Sequence, residues 1–148
     1  MSITGRPLPT PQPELNPETA PFWEAADQGK LLLRRCLACQ VVIWYPRSIC
    51  PDCHSTDTEW FEASGRGVVY SCTTVRRGVG EFAEASPFNL SYIELAEGPR
   101  ILSNVIDADP ESIEIGQSVE VVFASTGNGT ALPRFRPAAS LSQGATDE

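Results

Sequence analysis

Lysine and histidine are nearly missing from this chain of 148 residues, which has one of each, Lys30 and His54. Lys plus Arg comes to 11 against 19 for Asp plus Glu, a net charge of −8. Phosphate contacts need a basic stripe, so this balance argues against a protein built to grip nucleic acid. The single histidine directly follows a cysteine, and no Ser-His-Asp or Cys-His arrangement can be assembled elsewhere. No run approaches the ~20 apolar residues of a membrane span. The start, Met-Ser-Ile-Thr-Gly-Arg-Pro, lacks the apolar core of a secretion signal, so a cytoplasmic location is expected. In a reducing compartment the 5 cysteines are not expected to form a disulfide framework. The glycine-containing stretches match neither a P-loop nor a dinucleotide-binding fingerprint.

What is present is unevenly distributed. Of 13 prolines, six (Pro7, Pro9, Pro11, Pro13, Pro17 and Pro21) precede residue 22. Proline fixes φ and lacks a donor, so residues 1–16 are expected to form an extended arm, either a free tail or a strap across a partner. A short helix is expected within 17–29: Asn16 suits an N-cap, Pro17 a first turn and Gly29 a stop. After residue 62, five runs rich in β-branched and aromatic residues are separated by turn formers. They are Gly67–Arg76, Asn89–Leu95, Arg100–Asp107, Ser118–Ala124 and Leu132–Arg136. Five short strands over about 70 residues suit a small closed or partly open barrel better than a sandwich. Residues 138–148 return to small polar side chains and read as a flexible tail.

The chemistry lies in residues 30–62. Cys36-Leu-Ala-Cys39 and Cys50-Pro-Asp-Cys53 are two C-x-x-C pairs separated by ten residues. Two such pairs offer four thiolates to one metal in a closed tetrahedral site, the geometry of structural zinc. The spacing suits two rubredoxin-like knuckles, with Leu31–Arg35 and Val41–Tyr45 pairing as a hairpin beside the metal. Iron in the same site is chemically allowed. A redox dithiol needs one pair rather than two, and a catalytic metal needs an open position that four thiolates do not leave. His54 is a rival ligand to Cys53, but a polar residue on the knuckle turn is the preferred reading. Cys72, inside a strand, reads as a small buried apolar residue rather than a nucleophile.

The order of these features resembles a known family. Phe22-Trp23 on a short helix is followed by Gly29-Lys30-Leu31, the two cysteine pairs, Gly65-x-Gly67-x-Val69-Tyr70-Ser71, Ile115-Gly116-x-x-Val119 and Leu132-Pro133-x-Phe135-Arg136-Pro137. The pattern, over residues 17–137, is similar to the zinc-ribbon/OB-fold proteins of acyl-CoA metabolism, domain-of-unknown-function family thirty-five. The resemblance implies a mainly-β fold. A short N-terminal helix (17–29) leads to a rubredoxin-like zinc ribbon (30–62) and a five-stranded OB-fold barrel (63–137). It implies one structural Zn2+ on Cys36, Cys39, Cys50 and Cys53. It further implies a non-catalytic accessory subunit of a thiolase-like enzyme acting on acyl-CoA thioesters, by retro-aldol cleavage as in steroid side-chain degradation or by acyl transfer.

Phe22, Trp23, Trp44 and Tyr45 are candidate partner contacts, since aromatic residues often anchor interfaces. The rival readings are a partner of a hot-dog-fold enoyl-CoA hydratase, a direct acyl-CoA-binding module, and an OB module for nucleic acid. The last would use Arg34, Arg35, Arg66, Arg76 and Arg77 beside Trp44, Tyr45 and Tyr70, against the global acidity. That acidity is local: residues 81–120 hold nine carboxylates against Arg100 alone, a balance of 1 − 9 = −8. Such a surface suits a basic protein partner.

Overall fold

The computed structural model describes residues 7–138. The first six residues of the expected arm and residues 139–148 of the expected tail lie outside the described residues.

The arm from residue 7 to 16 forms neither helix nor strand. Asn16 ends it by accepting hydrogen bonds through Oδ1 from the backbone N–H groups of Glu18 and Thr19, both at 3.0 Å. It thereby caps the turn that feeds helix α1 (Ala20–Asp27), whose own N-cap is Thr19. The helix stops as expected at Gly29, which takes φ +83°. Gly29 N–H donates to Ala26 O at 3.0 Å and Lys30 N–H to Ala25 O at 2.9 Å, the paired bonds of a Schellman ending.

Strands β1 (Leu32–Cys36), β2 (Val42–Ile43) and β3 (Thr58–Glu62) form an antiparallel sheet in the order β2-β1-β3. The expected hairpin is present, with Arg34 opposite Ile43 and Arg35 opposite Val42. The third strand was not expected. It pairs along the whole of β1, from Leu32 opposite Glu62 to Cys36 opposite Thr58.

A second sheet contains β4 (Arg66–Val75), β5 (Phe88–Leu95), β6 (Arg100–Ser103), β7 (Ser118–Ser125) and β8 (Ala131–Pro137), in the order β6-β5-β4-β7-β8. All neighbours are antiparallel, and β4 is bulged between Val69 and Ser71. The sheet curls until its ends meet at one parallel bridge, Val105 to Phe135. This is the five-stranded OB arrangement, closed at a single point. The expected strand Arg100–Asp107 is therefore cut short. After Ser103 the chain leaves β5, Asn104 Nδ2 and Val105 N–H bond to Asn89, and the segment crosses to β8.

Helix, ribbon and barrel share one core. Phe22 from α1 and Leu31 and Leu33 from the ribbon pack in the same cluster as Val69, Ile93 and Phe135 of the barrel. Among the described residues no helix is long and apolar enough to cross a membrane.

Candidate metal centre and aromatic junction

The two cysteine pairs form near-copies of one turn. Cys36 N–H donates to Val41 O and Cys50 N–H to Ser55 O, both at 2.9 Å. Four residues on from each leading cysteine the bond returns: Gln40 N–H to Cys36 O and His54 N–H to Cys50 O, again at 2.9 Å. The leading sulfurs also accept: Cys39 N–H reaches Cys36 Sγ and Asp52 N–H reaches Cys50 Sγ, each at 3.4 Å. Each turn thus aims two sulfurs inward while its amides face sulfur, the arrangement a thiolate needs.

The four Sγ atoms lie within 4.8 Å of one another. Cys36 and Cys53 approach to 3.5 Å and Cys39 and Cys50 to 3.7 Å. A zinc with Zn–S bonds near 2.3 Å separates tetrahedral sulfurs by about 3.8 Å, so the cluster can hold one metal ion. Its electrostatics without a cation point the same way. Cys36 is pulled from the usual 9.0 down to about 7, chiefly by the Cys39 backbone N–H. Cys39 goes the other way, to about 12: the Val41 N–H favours its thiolate, but burial and the neighbouring sulfurs together outweigh it. Cys53 is also raised, the Ser55 N–H being overcome by Cys36 Sγ and burial. Four sulfurs this close cannot all carry charge until a cation joins them.

His54 lies outside the sulfur cluster and takes the place that Gln40 holds in the first turn. Cys72 is half-buried against the barrel core, its thiol directed to Ile113 O at 3.6 Å.

Phe22, Trp23, Trp44 and Tyr45 come together at the junction of α1 and ribbon. Phe22 stacks edge-on with Trp23, with ring centroids 4.8 Å apart, and lies 5.4 Å from Trp44. Trp44 and Tyr45 meet edge-on at 5.1 Å. Trp23 Nε1–H donates to Tyr45 Oη at 3.1 Å. Phe22 is wholly buried and is a core residue, while Trp23 and Trp44 are half-buried and Tyr45 is exposed. The last three line a groove of about 250 Å³ that continues onto the barrel at Phe82 and Leu102.

Three of the five arginines considered for nucleic acid are engaged within the chain. Arg34 lies over Trp60 and donates to Thr58, and Arg35 lies over Phe61 at 4.0 Å. Arg76 is paired with Glu111. Sequence reasoning missed Trp60 and Phe61 because it missed β3. Their signal was the β-prone run Thr58-Glu-Trp-Phe-Glu.

Comparison with known proteins accords with this architecture. The model of the ChsH2 rubredoxin-like zinc ribbon domain matches residues 23–59, and that of the ChsH2 C-terminal OB-fold domain matches residues 60–124. The chain belongs to the DUF35 family. A DUF35 domain-containing scaffold protein of Methanothermobacter thermautotrophicus is 37% identical over 72% of this chain and 81% of its own length. A probable enoyl-CoA hydratase alpha subunit of Thermomonospora curvata is 36% identical over 86% of this chain, which spans only 40% of that relative. A solved chain of the Ltp2-ChsH2(DUF35) aldolase shares 35% identity at a TM-score of 0.76, over 85% of this DUF35 chain and 98% of that one. A DUF35 structure from Sulfolobus solfataricus, at 17% identity and a TM-score of 0.61, shares the fold.

Proposed function

We propose that this DUF35 protein is an accessory subunit that binds a thiolase-like enzyme acting on acyl-CoA thioesters and helps to order that enzyme's assembly. The observation that carries the reading is the likeness, at 35% identity and across 98% of the matched chain, to a component of the Ltp2-ChsH2 aldolase. The site chemistry supports a non-catalytic part. Cys36, Cys39, Cys50 and Cys53 are the proposed ligands of one zinc ion, and a four-thiolate site leaves no position for substrate. The metal would supply rigidity, tying β1 to the two knuckle loops. Of the aromatic residues, Trp23, Trp44 and Tyr45 are the proposed partner contacts, and Phe22 holds the helix that presents Trp23.

The hydratase reading keeps a specific observation of its own. Relatives in Thermomonospora curvata and Mycobacterium tuberculosis are called hydratase alpha subunits, although the chain spans 40% and 35% of them. Co-expression with a thiolase-like chain and with a hot-dog-fold chain from the same genome, followed by gel filtration, separates the two. Co-elution with the thiolase-like chain, and partner activity that depends on it, is the expected result. Co-elution with the hot-dog chain alone would replace the proposal.

A further inference from the structure

The outward face of β4, β5 and β6 carries side chains usually kept inside. Leu102 on β6 is 55% exposed, Tyr92 on β5 47% and Tyr70 at the β4 bulge 47%. The register places Leu102 and Tyr92 on one face, and Arg100 of the same face lies over the Tyr70 ring. Leu102 lies opposite Tyr92, which lies opposite Ser71, and the next row is Arg100, Glu94 and Val68. That second row is neutral and preorganised, since Arg100 Nε pairs with Glu94 at 3.0 Å and its guanidinium stacks 3.8 Å from the Tyr70 ring. Ile115, 71% exposed, lies beside the β4 bulge, where the neighbouring Gly116 N–H donates to Val69 O at 2.8 Å. At the other end Leu102 lines the same groove as Tyr45 and Phe82. The apolar strip therefore runs from the ribbon across three barrel strands.

Its ends are acidic. Exposed Glu81 adjoins Phe82 and exposed Glu114 adjoins Ile115, within a segment of net −8. Two copies of this chain would bring like charges together there. A contiguous apolar face of this kind marks an interaction site. We infer that the Leu102–Tyr92–Tyr70 face is the docking surface for the partner enzyme, and that it receives an aliphatic ridge flanked by Lys or Arg. The inference rests on the accessory-subunit reading and deepens it.

The test compares the full-length chain with Leu102→Glu/Tyr92→Glu and with Glu81→Lys/Glu114→Lys for binding to the co-expressed thiolase-like subunit. Because these side chains are exposed, the melting curve and zinc content of each variant are expected to match wild type. The expected result is at least tenfold weaker binding for the first variant. For the second, weaker binding with a reduced salt dependence is expected. A wild-type complex in which the first variant binds within twofold overturns the docking face and leaves the accessory reading standing. A complex indifferent to the charge reversal overturns the basic partner. Absence of any wild-type complex overturns the accessory reading itself, and this inference with it. If the isolated chain sediments as a dimer that Leu102→Glu/Tyr92→Glu breaks, the occupant is a second copy and the inference fails.

Discussion

Gln40 and His54 stand in equivalent places. Both adopt left-handed backbone, φ 70° and 65°, and each donates its N–H to the carbonyl of the cysteine four residues earlier. That equivalence argues for His54 as a turn residue rather than a ligand. His54→Ala is expected to retain one zinc per chain by elemental analysis, whereas Cys53→Ser loses stoichiometric metal at neutral pH. Glycine relieves left-handed backbone strain of about 1 kcal/mol or more, so His54→Gly is expected to raise the melting temperature of the zinc-loaded protein. Zinc lost from His54→Ala but kept in Cys53→Ser would reverse the assignment.

Zinc uptake is expected to be strongly pH-dependent. Zinc binds thiolates, and in the metal-free cluster Cys39 sits at about 12 with Cys53 also raised, while Cys36 is at about 7. At pH 8 Cys36 is already mostly ionised, but Cys39 and Cys53 must each release a proton on binding. Affinity therefore rises with pH and falls on acidification, by roughly a hundredfold or more per pH unit, since these two sites alone release two protons. Calorimetry of zinc binding in buffers of different ionisation enthalpy reads the proton release directly. A chelator under reducing conditions is expected to unfold the ribbon, seen as loss of amide protection in β1 and β2.

The ribbon was legible because metal ligation is a local demand. Two C-x-x-C spacings suffice to place Cys36, Cys39, Cys50 and Cys53 together. The barrel strands were legible for a related reason: Asn89–Leu95 and Ser118–Ala124 carry their own β-prone side chains between turn formers. Long-range partnership was not legible. Thr58–Glu62 becomes a strand because β1 offers it a free edge. Arg100–Asp107 stops being one at Ser103, because Asn89 captures Val105 N–H and steers the chain to Phe135. Phe22 stood beside Trp23 among the candidate contacts, yet α1 turns one ring into the core and leaves the other at the surface.

Phe22 therefore has a stability role that Trp23 does not share. It is fully buried where helix, ribbon and barrel meet. Phe22→Ala is expected to cost about 3–5 kcal/mol in denaturant unfolding, the range for truncating a buried phenylalanine. Trp23→Ala loses the bond to Tyr45 and a half-buried ring, so a smaller cost is expected together with weakened partner binding. Equal losses for the two variants would contradict the division.

Arg134 on β8 is only 6% exposed, and burial lowers its pKa from the usual value. Its guanidinium donates to main-chain carbonyls of the arm, through Nη1 to Leu8 O and through Nη2 to Pro9 O. Asn128 adds a bond to Gln12. Residues 7–16 of the proline-rich arm have no ladder bonds, so their carbonyls are free to accept, and they take a buried donor that would otherwise lack these partners. Removing residues 1–12 is expected to destabilise the protein by about 1–3 kcal/mol, because donors on Arg134 lose their acceptors. In an Arg134→Met background the same truncation should cost much less, since no buried charge remains to be stranded. The comparison is a double-mutant cycle in urea. Equal costs in the two backgrounds would mean that the arm is held by something other than Arg134.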